Sequence, residues 1–536
     1  MSFLTMNKIF VTYIFDYFGE LPPVINVLDQ DGVQKTVSIE YLSGIDIPIV
    51  TYDFWSLVDY FRSSDIDLPL AIIDVVSAKK LLLGMPKSEC KGIPRWAYWV
   101  QIKDYMDSES YESIKAIAFR KKEWPDSDEI LDLLNKMTIS LTNLWNNLSI
   151  EMEKYGELKR FMEIEVPVYN VMLRTQKMGI RIDESKLDKY LFDSNNIYYE
   201  SKKKIELNYN INIDDDNIIN QYLEAEKNNN NSIKESLVQR GSYDNFLEIN
   251  AKYDEISHTF SNYRRYRLEK SILSRIVVID SKVFPVYEVC GTVTSRILVI
   301  DPLLQNLKKA HRDIILPDEG CSFLYIDYSQ FEPGIMASLA NNDDFIELYN
   351  SSDIYLELSK LIFGLDTERD TAKKIFLSYS YGMSWSSIKE ILLVITNEIG
   401  GIESVDMDKV KSSLAVFESL KNDIYDELIR NNRVGTLFGN YRYRQKSGDL
   451  TNKEKRYAVS QSVQGTASLI IKKVIIDINK HQPDIRIVLP MHDALLVQVS
   501  NDVLGSSEVK LVEIFKNVFK ELCPKISPRV TVDTFI

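Results

Sequence analysis

CSFLYIDYSQFEPGIMASLANNDDF, residues 321–345, reads as a strand that hands over to a helix. Phe323 to Ile326 form an apolar run of the kind that fills a buried strand, and the run stops abruptly at Asp327. A carboxylate at a strand end can face a cleft. The same aspartate, followed by Gln330, Phe331 and Glu332 and then by an apolar helix, also suits an ordinary helix N-cap.

Two stretches further along the chain bear on that choice. In ERDTAKKIFLSYSYGM, residues 368–383, Arg369, Lys373 and Leu377 are spaced i, i+4, i+8 and share one helix face, with Tyr381 one turn on and just before Gly382. Two stacked cations can hold a triphosphate, because the Arg fork pairs two phosphate oxygens and Lys acts as a point charge. An exposed amphipathic helix would carry the same letters. IRIVLPMHDALLVQV, residues 485–499, predicts two apolar strands joined by a tight turn around Pro490 to Asp493, with His492 and Asp493 at the tip. A tip aspartate is otherwise a plain turn residue.

Composition sets the frame. With 536 residues, the chain is too long for one core, and 45% apolar content is ordinary for globular protein, so two or more compact units are expected. The apolar start IFVTYIFDYF, residues 9–18, carries an aspartate and lacks a small-residue cleavage site, and no run of eighteen apolar residues occurs, so a soluble chain with no membrane partner and no export signal is expected. Four dispersed cysteines without a CxxC pair argue against a zinc site or a disulfide framework and for a reducing, cytoplasmic setting. The net charge of −14 speaks weakly against an anionic partner. Local charge speaks the other way: NYRRYRLEKSILSR, residues 262–275, has five cations against one acid, and Lys308, Lys309 and Arg312 cluster again.

The quoted motifs resemble those of family A DNA polymerases, the relatives of bacterial DNA polymerase I. DYSQFE is similar to the family's motif A, the RxxxK helix ending in YG to motif B, and HDA to motif C, usually HDE. MEIEVPVYNVMLRTQKMGIRID (162–183) resembles the start of the thumb, and GTVTSRILVIDPLLQN (291–306) and RYAVSQSVQGTA (456–467) resemble template strips. The matches run in family order over roughly the last 375 residues.

The resemblance implies an α+β right hand of palm, fingers and thumb, and template-directed addition of dNTPs to the 3′-hydroxyl of primed DNA. It implies Asp327 and Asp493 as catalytic carboxylates; Asp327, Tyr328 and Asp493 as ligands of two Mg²⁺ ions, with Mn²⁺ as a substitute; Glu332, Arg369, Lys373, Leu377 and Tyr381 on the nucleotide; and Arg296, Gln305, Asn306, Arg456, Gln464 and His492 on DNA. Expected units are 1–155, exonuclease-like; 156–310, thumb and start of the palm; 311–340, palm; 341–455, fingers; and 456–536, palm. Departures from the family pattern are Pro333 and Gly334 for a leucine and an arginine, Leu377 for Phe or Tyr, Ala494 for Glu, Ser460 for Asn and Tyr355 for a common histidine. A catalytically silent DNA-binding relative would lose the metal ligands, and a nuclease has no need of the RxxxK helix. The small size, the abundant Asn, Lys and Ile and the missing accessory domains look like a phage or plasmid polymerase.

The amino-terminal stretches 13–23, 47–61 and 68–82 resemble the layout of the family's 3′-5′ exonuclease, as a degenerate α/β unit. A DxE motif is expected in the first of them, yet Asp16 is followed by Tyr17 and Phe18, with Glu20 displaced, and Leu134 and Thr138 stand where Tyr and Asp are expected. Asp53 and Asp74 remain, with turn or cap roles as their simpler reading. Two-metal hydrolysis needs several carboxylates, so no proofreading is expected.

Overall fold

The computed structural model describes residues 6–14, 22–84, 98–209, 255–364, 366–389, 392 and 407–535. Asp16, Tyr17, Phe18, Glu20, the DDDN run at Asp214 and the run Asn228 to Asn231 lie outside the described residues.

The amino-terminal strands form a five-stranded sheet in the order Gln34–Val37, Val24–Leu28, Ile9–Ile14, Ile49–Thr51, Ile72–Asp74. The central strand Ile9–Ile14 is buried at all six positions, antiparallel to one neighbour and parallel to the other. One of its faces is covered by the 29-residue helix Ser127–Tyr155, whose buried Ile130, Leu134, Met137, Leu141, Leu144, Leu148 and Met152 recur every three to four residues. Asp126 caps its start by accepting from the Glu129 N–H, and Gly156 ends it in the left-handed region at φ 76°.

Helices Glu184–Tyr209 and Glu255–Leu273 pack on one another as an arm. The two basic stretches meet at its base, where Lys308 bonds Glu269 and lies over the Tyr266 ring. His311 packs on Tyr190 with ring centroids 4.5 Å apart and the rings tilted by 32°.

A four-stranded antiparallel sheet, ordered Arg486–Pro490, Ala494–Ser500, Cys321–Ser329, Arg529–Asp533, carries the candidate site. Leu324, Ile326 and Tyr328 alternate inward with Tyr325, Asp327 and Ser329 on the more open face. The back is covered by Leu504–Leu522, which packs in turn on the 30-residue helix Asn452–His481; that helix opens on a capping box between Thr451 and Glu454. One sequence expectation is corrected here: the strand does not stop at Asp327 but continues to Ser329. Alternation explains this, because an acid on the outward face leaves the inward register intact and Tyr328 resumes the buried row. The helix cap falls on Gln330, at φ 55°, whose side-chain oxygen accepts from the Ile354 N–H at 2.9 Å.

Helices Phe331–Ala340, Asp343–Ser351, Ile354–Phe363, Arg369–Ser380 and Ala415–Asn431 lie between the sheet's first carboxylate and its second. Under the site, buried Glu165 binds Lys472 at 2.5 Å and Arg160 at 3.0 Å, and accepts from Ser295 Oγ at 3.1 Å. Burial would raise the Glu165 carboxyl, but the two cations outweigh it and hold it below its ordinary value. Breaking such a set leaves an uncompensated buried charge, so it fixes how three distant segments meet.

Candidate active site

Asp327 lies mid-sheet, with Ala494 as its partner on one flank and Thr531 on the other. Strands Arg486–Pro490 and Ala494–Ser500 form the expected hairpin, closed by the Met491 N–H to Ala494 O bond at 2.8 Å, which leaves His492 and Asp493 exposed at its tip. The Tyr328 N–H donates to Asp493 O at 3.3 Å, so the two aspartates stand side by side across the strands. Asp327 Oδ1 is buried with no hydrogen-bond partner. The Asp327 carboxyl is pushed up to about 7, first by burial and then by the charges of Asp493 and Asp533, against the pull of Lys373. An orphaned carboxylate oxygen beside a second carboxylate fits a hard divalent cation. Tyr328 turns its phenol into the core, where it donates to Phe515 O at 2.6 Å and its ring stacks on Phe331. Only its main chain faces the site.

The helix Arg369–Ser380 brings both cations to Tyr355, whose ring centre lies 5.3 Å from the Arg369 guanidinium and 5.7 Å from Lys373 Nζ. Asp353 steadies Arg369 through Nε at 3.1 Å and Nη2 at 2.8 Å, while its other oxygen caps the helix Ile354–Phe363 by accepting from the Leu356 N–H. Tyr355 packs edge-on against Phe376 at 5.4 Å and is buried. Leu377, further along the helix, is partly buried against the core.

Tyr381 donates to Glu332 Oε2 at 2.7 Å, and Arg296 Nη2 donates to Glu332 Oε1 at 3.2 Å. Burial and the Glu332 charge push the Tyr381 phenol up. Gln464, oriented by a 3.0 Å bond from Ser460 Oγ, lies close enough to the Tyr381 phenol to oppose that rise. The Arg456 stem lies against Gly382, where an added Cβ would sit 3.2 Å from Arg456 Cγ. The structure thus brings Arg296, Glu332, Tyr381 and Gln464 together, with Arg456 next to them.

Gln305 is placed differently from a free DNA contact. Its amide nitrogen donates to Pro490 O at 2.6 Å and Ile297 O at 3.2 Å, and its oxygen accepts from the Val299 N–H at 3.0 Å. It therefore anchors the hairpin that carries Asp493. Asn306 is exposed on the adjoining turn Leu304–Asn306. Gly334 has a packing reason: a Cβ there would fall 2.8 Å from Tyr349 Cζ, so that ring fills the space a longer side chain would need.

In the amino-terminal unit, Asp74 caps Val75–Leu81, accepting from Ser77 N–H and Oγ, both at 2.7 Å, and from the Asp53 N–H at 2.8 Å. Both aspartates are buried and border a small cavity together with Lys80 and Glu288. Burial, then the Asp74 charge, raises the Asp53 carboxyl; burial also raises Asp74 against the bonds from Ser77. At the position where an acid is expected, Thr138 Oγ1 lies 2.6 Å from Thr12 Oγ1 and accepts from Asn26 Nδ2 at 2.9 Å. That cluster is neutral, and Asn26 Oδ1 within it has no hydrogen-bond partner.

Sequence reasoning missed Asp353 and Asp533. Asp353 carried a signal, a helix N-cap residue sixteen positions before Arg369. Asp533 had none, since only sheet register brings it near.

A family model for DNA polymerase family A matches residues 188–533. The chain is similar to DNA polymerase I of Bacillus subtilis (strain 168), 22% identical over 426 residues that cover 74% of this chain and 48% of the relative. It is also similar to DNA polymerase theta of Caenorhabditis elegans, 26% identical over 263 residues, 46% of this chain and 16% of that one. The chain thus spans about half the length of the first of these curated relatives and less of the second. Among solved structures it resembles the POL domain of Pol1 from M. smegmatis, in complex with DNA primer-template and dNTP, with a TM-score of 0.75 at 17% identity, covering 99% of this chain and 95% of that chain. At that identity the likeness establishes the fold, and its coverage takes in the amino-terminal sheet.

Proposed function

Because this chain belongs to DNA polymerase family A, we propose that it is a DNA-directed DNA polymerase that adds dNTPs to the primer 3′-hydroxyl of a primed DNA template. The observation that carries this is the pair Asp327 and Asp493, one on a strand and the other at the tip of the neighbouring hairpin, with the buried oxygen of Asp327 unpartnered and Lys373 near enough to act on it. In this reading, the primer oxygen bonds to the α-phosphorus of the dNTP while the bond from that phosphorus to the bridging oxygen breaks and pyrophosphate leaves. Asp327, Asp493 and the main-chain carbonyl of Tyr328 would hold two divalent cations, Mg²⁺ or in its place Mn²⁺. Such ions, when bound, acidify the primer hydroxyl and neutralise the leaving pyrophosphate.

The remaining roles fall to the chain's own groups. Arg369, held by Asp353, and Lys373 bind the triphosphate. Glu332, fixed between Tyr381 and Arg296, lies under the sugar, and Leu377 lines the same nucleotide site. Arg296, Asn306, Arg456, Gln464 and His492 contact DNA, with Gln305 acting through the hairpin it anchors. The arm, with its basic base, makes the thumb. We assign 1–155 to an exonuclease-like unit without proofreading, 156–310 to thumb and the start of the palm, 341–455 to fingers, and 311–340 with 456–536 to the palm.

No described helix is long and apolar enough to cross a membrane. Cys290, Cys321 and Cys523 are free, as a reducing cytoplasm would leave them. Primer extension with Mg²⁺ and four dNTPs tests the reading. Template-directed products from the wild type that vanish with Asp493→Ala would support it, and no extension by the wild type would overturn it.

A further inference from the structure

Asp327 is flanked by Ala494 on one strand and Thr531 on the other. Paired residues share a sheet face, and so do residues two apart on one strand. Asp533, the partner of Tyr325, therefore stands on the same open face as Asp327, one diagonal step away. Its carboxylate is also aimed. Thr531, directly across from Asp327, donates its hydroxyl to Asp533 Oδ2 at 3.1 Å, which draws the charge back along the strand toward Asp327. On the opposite flank the residue paired with Asp327 is Ala494, a fully buried side chain with no charge, so the charge on that side comes from Asp493 at the hairpin tip.

On the reading of Asp327 and Asp493 as the cation-holding pair, we infer that Asp533 supplies, from the carboxy-terminal strand, a third negative charge that raises the site's affinity for divalent cations. Among the described residues, no three acidic, histidine or cysteine side chains converge closely enough to hold an ion together. Asp533 thus works from outside the inner ligands, as a positioning residue. Its field reaches Asp327, whose carboxyl is partly buried, and its exposed oxygens can meet the water shell that a Mg²⁺ ion keeps. A purely structural strand-end aspartate would leave cation affinity untouched.

The test titrates Mn²⁺ into the full chain without DNA or nucleotide, following free Mn²⁺ by electron paramagnetic resonance. Asp533→Asn should weaken binding about three- to tenfold, Asp533→Glu should stay within about twofold, and Thr531→Val should weaken it by less than the Asn change. In primer extension, Asp533→Asn should need correspondingly more Mg²⁺ for half-maximal rate, with kcat at saturating Mg²⁺ within about twofold of wild type. Unchanged Mn²⁺ affinity and Mg²⁺ dependence in Asp533→Asn overturn the inference, as does a kcat loss that added Mg²⁺ fails to restore. Asp327→Asn separates the two readings. If it loses the tight site while Asp533→Asn does not, only the role of Asp533 falls; if it keeps the site, the carboxylate pair itself is wrong.

Discussion

Tyr381 donates its hydroxyl to Glu332 at 2.7 Å, tying the end of the cationic helix to the first turn after the Asp327 strand. With Arg296 on its other oxygen, Glu332 is a carboxylate held from two sides. If, as proposed, this carboxylate lies under the sugar, it leaves no room for a 2′-hydroxyl, the feature that separates RNA precursors from DNA precursors. Glu332→Ala should raise use of ribonucleotides relative to dNTPs by about tenfold or more, and Tyr381→Phe, which removes one hold of two, by about two- to threefold. Single-turnover rates with each nucleotide class measure this. An unchanged preference in Glu332→Ala would remove Glu332 from the gate.

Asp327→Ala and Asp493→Ala should each cut extension on the order of a thousandfold or more while primed-template affinity stays within about threefold, because cation charge is needed chiefly in the transition state. Gel-shift affinities beside extension rates separate the two effects. A rate within tenfold of wild type for either variant contradicts the assignment.

Leu377 shares a helix face with Arg369 and Lys373 and carries no hydroxyl. Relatives with Tyr there can offer a phenol in place of a missing 3′-hydroxyl, so dideoxynucleotides should be poor substrates here, and Leu377→Tyr should improve their use by about tenfold or more, the value of roughly one good hydrogen bond to a charged group. Competition between ddNTP and dNTP reads the ratio directly. Equal use by the wild type would show that Leu377 does not line the sugar.

Local spacing made much of this site legible. Arg369, Lys373 and Leu377 fall on one face by helical geometry alone, and the hairpin with His492 and Asp493 at its tip follows from two apolar runs about a turn. Short-range patterns fail where a residue's role is set by a distant partner. Asp327 was expected to end its strand because an acid interrupts an apolar run, but the strand's outward face tolerates it and pairing continues to Ser329. Gln305 looks like a side chain free for DNA until Pro490, 185 residues away, claims its amide. Glu165, Arg160 and Lys472 read as scattered charges and become one buried network only when the fold closes.

The amino-terminal unit should not proofread. Thr138 faces the central strand with its hydroxyl bonded to Thr12 and Asn26, where hydrolysis would need a carboxylate, and Asp74 is taken up by Ser77 and the Asp53 N–H. A 5′-labelled primer with a 3′ mismatch, incubated with Mg²⁺ or Mn²⁺ and no dNTPs, should keep its length. Stepwise shortening that disappears in Asp53→Ala would mean the cluster is catalytic.

Asp53 and Asp74 should instead make stability depend on pH. Asp74 accepts three hydrogen bonds, so Asp53 is the member of the pair better suited to keep a proton, and its carboxyl is raised by burial and by the Asp74 charge. Lys80 pulls it down, and Glu288, paired to Lys80 at 2.8 Å, pushes it up. Below about pH 4, folded and unfolded chains are both protonated at this site and the shift has no effect. As pH rises, the unfolded chain releases its proton first, so stability falls until the folded carboxyl ionises too, then levels off. Asp53→Asn removes the titrating group, can keep the acceptor for Trp55 Nε1, and suits the left-handed backbone at φ 43°, which asparagine adopts readily. The variant should melt close to wild type near pH 4 and about 2–4 °C or more above it near pH 8. Thermal melts across that range decide it: parallel curves for the two proteins would show that Asp53 is charged in the folded chain throughout.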